Sequence, residues 1–247
     1  MLARARRRLA LAITFLTRAP VPAGAADADD LAASLVFFPV VGLALGTLLV
    51  AVAALLPPEL PAAARGAVVV ATLALVTGGL HLDGLADVFD ALGGGRGSRE
   101  RMLAILDDPR IGAHGAAALV LVIVAKTSLV GALAAADQRW ALLAFPVAAR
   151  AAIVPLVVLF PAARREGLAH AFHERARGGH VAGASFLAAL VLGAIGAQCA
   201  GPTLAAMLAA LAIASWMRFR LGGLNGDVYG AALELAEVAF LAGALSR

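Results

Sequence analysis

Three carboxylates in the run "HLDGLADVFD", Asp83, Asp87 and Asp90, stand at i, i+4 and i+7, a spacing that aligns them on one face of a helix. Like charges so arranged repel, and a fold keeps them at low cost when cations neutralise them. An all-oxygen set favours a hard ion such as Mg²⁺, shared with the phosphates of a substrate. The plain alternative is a solvated acidic helix start that complements the helix dipole. His81, one turn back, suits hydrogen bonding to phosphate or proton handling, and its oxygen-rich neighbours argue against zinc.

A second constellation lies near the C-terminus in "GGLNGDVYGAALELAE". Here Asp227 and Glu234 share a helix face at i+7, with Glu237 one turn further. Carboxylates in so apolar a helix are costly unless paired or ligated. The glycines before Asp227 let backbone approach a ligand, although Asn225-Gly-Asp also reads as an ordinary N-cap. A third, "DDPRIGAHG", puts Asp107, Asp108 and Arg110 at the mouth of an apolar run, where Arg110 is suited to bidentate phosphate binding. Lys126 and Arg150 sit inside apolar runs; they either meet substrate phosphate or pair with carboxylates on neighbouring helices. Arg18 in "FLTRAPVP" is ambiguous on physics alone.

The elements that must position these groups are set by composition. The chain has 247 residues, 62% hydrophobic, and a mean hydropathy of +0.92, outside the soluble globular range. Seven apolar runs, roughly 31–56, 66–82, 115–136, 140–161, 181–200, 203–217 and 228–245, approach or reach the roughly 20 residues that cross a bilayer. The sixth is the shortest. An all-α polytopic integral membrane protein with about seven transmembrane helices and one membrane-embedded catalytic domain, 1–247, is therefore expected. Residue-by-residue alternation is absent, which argues against a β-barrel. Gly42 and Gly46 form a small-xxx-small face in the first span. The N-terminal segment lacks an A-x-A-like cleavage site after its short apolar centre, so a cytoplasmic or interfacial helix is expected there. Cys199 reads as a packing residue.

The net charge of +4 is no sign of nucleic acid, because the basic residues fall mostly in alternate connections. Arg4, Arg6, Arg7 and Arg8 precede the first span. Arg96, Arg99, Arg101 and Arg110 follow the second; Arg164, Arg165, Arg175 and Arg177 follow the fourth; Arg218 and Arg220 follow the sixth. The intervening connections carry at most one Arg each. This pattern places the N-terminus and the connections 83–114, 162–180 and 218–226 in the cytoplasm and the C-terminus outside. The connection 83–114 is expected to hold a Gly93-Gly94-Gly95 break and a short amphipathic helix from about Arg99 to Leu106.

In order, "FLTRAPVP", "FFPVVGLALG", "GGLHLDGLADVFDALGGG", "DDPRIGAHG" and "GGLNGDVYGAALELAE" resemble the cobalamin synthase family, and the likeness covers nearly the whole chain. One departure is visible: the family commonly has Thr-Gly-Asp where this chain has Asn225-Gly226-Asp227. The resemblance implies a multi-pass enzyme of the bacterial cytoplasmic membrane, acting late in cobalamin synthesis with Mg²⁺. It would join adenosylcobinamide-GDP to α-ribazole or its phosphate and release GMP. On that basis His81, Asp83, Asp87, Asp90 and Asp227 are the expected catalytic residues, the four aspartates also being metal ligands. Arg110, Lys126, Asn225, Glu234 and Glu237 are expected at the substrates. Lipid and the two substrates are the expected partners, with no nucleic acid and with room for a homo-oligomer. The competing readings are a CDP-alcohol-type membrane phosphotransferase, whose motif the acid spacing here does not match, and an ion-coupled transporter, which would place its charges near the midplane between repeated halves.

Overall fold

The computed structural model describes residues 2–24, 26–164 and 168–246, so Arg165 of the basic connection lies outside the described residues. Among these, twelve α-helices follow one another: α1 (Leu2–Leu16), α2 (Ala28–Ser34), α3 (Phe38–Leu55), α4 (Ala62–Thr77), α5 (Leu80–Gly94), α6 (Arg99–Leu106), α7 (Ala113–Ala135), α8 (Arg139–Leu159), α9 (Leu168–Arg175), α10 (Gly178–Ile195), α11 (Ala200–Leu221) and α12 (Gly226–Leu245). Six are long and apolar enough to cross a membrane, α3 being continuous with α2 and α11 with a short preceding turn. The bent pair α4 and α5 makes a seventh candidate. The protein is thus an all-α polytopic membrane protein. The run 203–217, expected to be the shortest, belongs to a 25-residue span, Ala197–Leu221. It extends beyond the expected run at both ends, and at the second of these Arg218 and Arg220 occupy the last turn and complement the helix dipole.

The second span differs from the straight helix expected over 66–82. α4 stops at Thr77, and α5 leaves at 92° to it. Gly78 and Gly79 both have positive φ, +67° and +70°, a left-handed pair that side chains other than glycine rarely adopt. The acidic cluster lies on this second helix, as its spacing predicts, and the helix is set across the end of the span that precedes it. α5 runs through Gly93 and Gly94, and the turn falls at Arg96 and Gly97, whose φ are +46° and +85°.

α8 and α12 form the centre. Both are mostly buried, whereas α7, α10 and α11 turn residues such as Leu121, Phe186 and Leu204 outward, as lipid-facing helices do. Gly42 and Gly46 of α3 press on the α8 backbone at Leu143 and Pro146, where a Cβ would collide, so the expected small-residue face is a helix–helix contact. Gly84 likewise admits the backbone of Asp227, which brings α5 against the start of α12.

The long connections meet at one end of the bundle. Ala162 pairs with Leu224 in a single parallel bridge. Arg164 grips Asp107 at 2.7 and 2.8 Å, and Arg99 donates to the carbonyls of Leu221 (2.7 Å) and Ala163 (3.3 Å). α9, within the basic connection 162–180, rests on α2, with Arg175 3.7 Å from Asp29.

Candidate active site

The turn at Gly78-Gly79 delivers α5 across the end of the bundle, and its exposed edge lines a cleft of about 670 Å³. Asp83 and Asp87 enter this cleft from α5, Arg110 from the α6–α7 connection, and Thr17 and Arg18 from the end of α1. Arg18 is fixed there by its own backbone, whose N–H donates to the Val76 carbonyl at 2.8 Å, and its side chain lies against Gly78. The ambiguous arginine of "FLTRAPVP" is thus at the rim of the acidic cleft.

Asp227 reaches the same region from α12. Asn225 caps that helix by accepting from the Val228 N–H at 3.1 Å, and its amide donates to the Asp227 carboxylate at 2.6 Å. Asn225 therefore holds Asp227 in place, a role in keeping with the N-cap reading of this motif. The charges of Asp227, Asp83 and Asp90 all bear on the half-buried Asp87.

Asp90 faces away from that cleft. One of its oxygens accepts from the Gly112 N–H (2.6 Å) and the other from the Gly115 N–H (2.8 Å). Its buried carboxylate thereby anchors the connection that carries Arg110, and a Cβ at either glycine would strike it. Arg110 itself donates to both oxygens of Asp108, at 2.9 and 2.6 Å, with its side chain 86% exposed. These hydrogen bonds hold the Asp108 carboxyl down at about 2.

Lys126, Glu234 and Glu237, expected at substrate, meet one another in the bundle interior. Lys126 donates to Glu234 at 2.9 Å and also to Glu237, and Glu237 accepts from Arg150. All four are buried, and the two positive and two negative charges balance. This is the pairing alternative for Lys126 and Arg150, and it ties α7, α8 and α12 together. Two of the Arg150 donors, Nε and Nη2, have no hydrogen-bond partner among the described residues, for which the structure offers no physical account.

His81 points to a different space. It is 6% exposed and lines an apolar pocket of about 310 Å³ behind the cleft, with Asp227 at the same wall and Asp83 bordering both cavities. The aromatic residues of this pocket, Phe15, Phe38, Phe172 and Tyr229, were not singled out in the sequence, although all but Phe172 fall within the stretches that carry the family resemblance, because each reads as an ordinary core residue until the helices converge.

Among the described residues no three His, Cys, Asp or Glu side chains converge into a cage for a metal ion. A Mg²⁺ shared with substrate phosphates needs only one or two protein carboxylates and keeps water in its other positions. Asp83 and Asp87, one helical turn apart on a cleft that Arg18 and Arg110 also line, fit that requirement.

Comparison with known proteins places the arrangement in a lineage. The family model described as cobalamin-5-phosphate synthase matches residues 8–245. Relatives named adenosylcobinamide-GDP ribazoletransferase include that of Geotalea daltonii, 42% identical, with 92% of each chain covered. The relative from Pseudomonas fluorescens is 40% identical over 94% of this chain and 96% of its own. That from Alkalilimnicola ehrlichii is 44% identical over 97% of this chain and 95% of its own. No solved structure matches. The chain belongs to the cobalamin-5-phosphate synthase family.

Proposed function

We propose that this chain is an adenosylcobinamide-GDP ribazoletransferase of the bacterial cytoplasmic membrane, joining adenosylcobinamide-GDP to α-ribazole or its phosphate with release of GMP. The observation that carries the reading is the one cleft lined by Asp83, Asp87, Arg18 and Arg110. A carboxylate pair sharing a cleft with guanidinium groups suits a diphosphate better than a neutral ligand, since arginine binds phosphate oxygens and the acids bind their counter-ion.

The acceptor's ribose hydroxyl attacks the phosphorus attached to cobinamide. A new P–O bond forms, the P–O bond to the bridging oxygen breaks, and GMP departs with that oxygen. Asp83 and Asp87 would hold Mg²⁺, with Asp227 near enough to contribute. The ion would supply neutralisation of charge on the diphosphate oxygens. Arg110 binds the donor phosphates from the same cleft, and Asn225 keeps Asp227 turned into the site. The attacking hydroxyl loses its proton to His81 or to a carboxylate beside it. The arginine asymmetry between alternate connections supports a cytoplasmic face for this site.

The test is GMP release by the purified protein in lipid nanodiscs. Release is expected only with donor, acceptor and Mg²⁺ together, and it should fall by orders of magnitude in Asp83→Asn and Asp87→Asn proteins of unchanged thermal stability. GMP release without acceptor would point to a hydrolase, and full activity in both variants would remove the role given to the carboxylates.

A further inference from the structure

The 310 Å³ pocket behind the acidic cleft is not needed to bind a diphosphate. Its walls come from six helices and are chiefly apolar: Phe15 of α1, Phe38 of α3, Leu80 of α5, Val157 of α8, Phe172 of α9, and Tyr229 of α12. Three of these rings form one cluster. Phe15 stacks on Phe38 at 5.7 Å between centroids with 20° between planes, and Phe172 meets Phe15 edge-on at 4.9 Å. Such a group offers both faces and edges to a flat aromatic guest. The volume is at the lower end of the roughly 300–1,000 Å³ usual for small-molecule sites.

Two polar features break the apolar lining, and each points to a ligand. The first is the set Asp83, Asp227 and His81, of which Asp83 also borders the cleft. The second is Tyr229, which is 7% exposed and whose hydroxyl has no hydrogen-bond partner among the described residues. A buried hydroxyl without a partner is costly, and such groups in native proteins call for an explanation.

We propose that this pocket seats the aromatic base of the acceptor nucleoside, with the Tyr229 hydroxyl donating a hydrogen bond to the ring nitrogen of a benzimidazole-type base that carries no sugar. The proposal rests on the function proposed above. The base lies among Phe15, Phe38 and Phe172, and the ribose emerges past Asp83 and Asp227 into the cleft. Donor and acceptor thus occupy separate cavities that meet at Asp83. The hydroxyl is also what distinguishes a base with a free ring nitrogen from one without, because an unmet buried donor penalises the wrong guest.

The experiment measures binding of α-ribazole alone to the full chain in nanodiscs, and then KM for each substrate by GMP release. The wild-type protein is expected to bind α-ribazole saturably without donor. Val157→Trp, which fills the pocket, should raise the acceptor KM at least about tenfold and leave the donor KM within about twofold, tenfold corresponding to about 1.4 kcal/mol. Tyr229→Phe, nearly isosteric and so the safer variant for folding, should raise the acceptor KM about threefold to tenfold. It should also abolish the wild-type preference for α-ribazole over the indole ribonucleoside, which lacks the ring nitrogen. A rise in donor KM, or α-ribazole binding unaffected by either variant, would overturn the assignment. Saturable binding that Val157→Trp abolishes, in a protein that releases no GMP, would support the pocket while sinking the transferase reading.

Discussion

Arg110 holds Asp108 with two side-chain hydrogen bonds and one from its backbone N–H while its side chain stays largely in solvent, so a phosphate entering the cleft must compete with that carboxylate for the guanidinium. The Asp108 carboxyl, depressed to about 2 by these bonds, leaves the pair intact at any pH above the ordinary carboxylate range. The pair is lost only as pH falls through about 2, so acidifying an assay to about pH 5 does not free Arg110. Removing the charge does. Asp108→Asn is expected to lower the donor KM severalfold, whereas Arg110→Ala should raise it by about tenfold to a hundredfold, the range for hydrogen bonds to charged groups. Donor titrations at saturating acceptor check both, and equal effects of the two substitutions would mean that Arg110 is only a rim charge. Asp90 belongs to a different class from Asp83 and Asp87. A carboxamide in its place would turn a donor toward one of two backbone N–H groups, so Asp90→Asn should lower thermal stability, with a loss of turnover that excess Mg²⁺ does not restore. The i, i+4, i+7 spacing was enough to group the three acids on one helix. It could not separate them, because the amides that take Asp90 lie 22 and 25 residues away in sequence.

At the scale of elements, most spans were legible because about twenty apolar residues have few alternatives in a bilayer. The break between α4 and α5 was not, although its cause stands in the sequence as Gly78-Gly79. Hydropathy continues across the pair, and only the left-handed backbone at both glycines turns the chain by 92°. The same limit applies to Lys126, whose partners are on another helix more than a hundred residues later. Pairing and phosphate binding make opposite predictions here. Lys126→Met leaves two buried glutamates with one cation, a change that costs about 3–5 kcal/mol in comparable buried pairs. Adding Glu234→Gln removes the surplus negative charge, so the double variant should recover most of the lost stability and much of the activity. Thermal unfolding in nanodiscs reads the first effect and GMP release the second. A stable double variant with no turnover would return Lys126 to the substrate.

For the whole molecule, the alternation of arginine-rich and arginine-poor connections is a statement about one end of the bundle, and the contacts between connections agree with it. The segments 83–114, 162–180 and 218–226 touch through Arg164–Asp107, Arg99–Leu221 and the Ala162–Leu224 bridge. The turn between α7 and α8, at Ala136, comes at the far end of a 23-residue helix that starts beside Asp90. At about 1.5 Å per residue that helix spans a hydrocarbon core. By the positive-inside rule the arginine-rich end, and with it the acidic cleft, is expected in the cytoplasm. Single-cysteine labelling tests the orientation in a Cys199→Ala background, which costs little accessible thiol since Cys199 is buried. In intact cells whose outer barrier has been opened, a membrane-impermeant maleimide should label Ala136→Cys and should reach Ser98→Cys, at the exposed start of α6, only after lysis. A reversed pattern would put the carboxylates of α5 outside. Donor and acceptor would then have to meet there, where no cytoplasmic nucleotide pool supplies the GDP-activated substrate, and the proposed reaction would fail with the orientation.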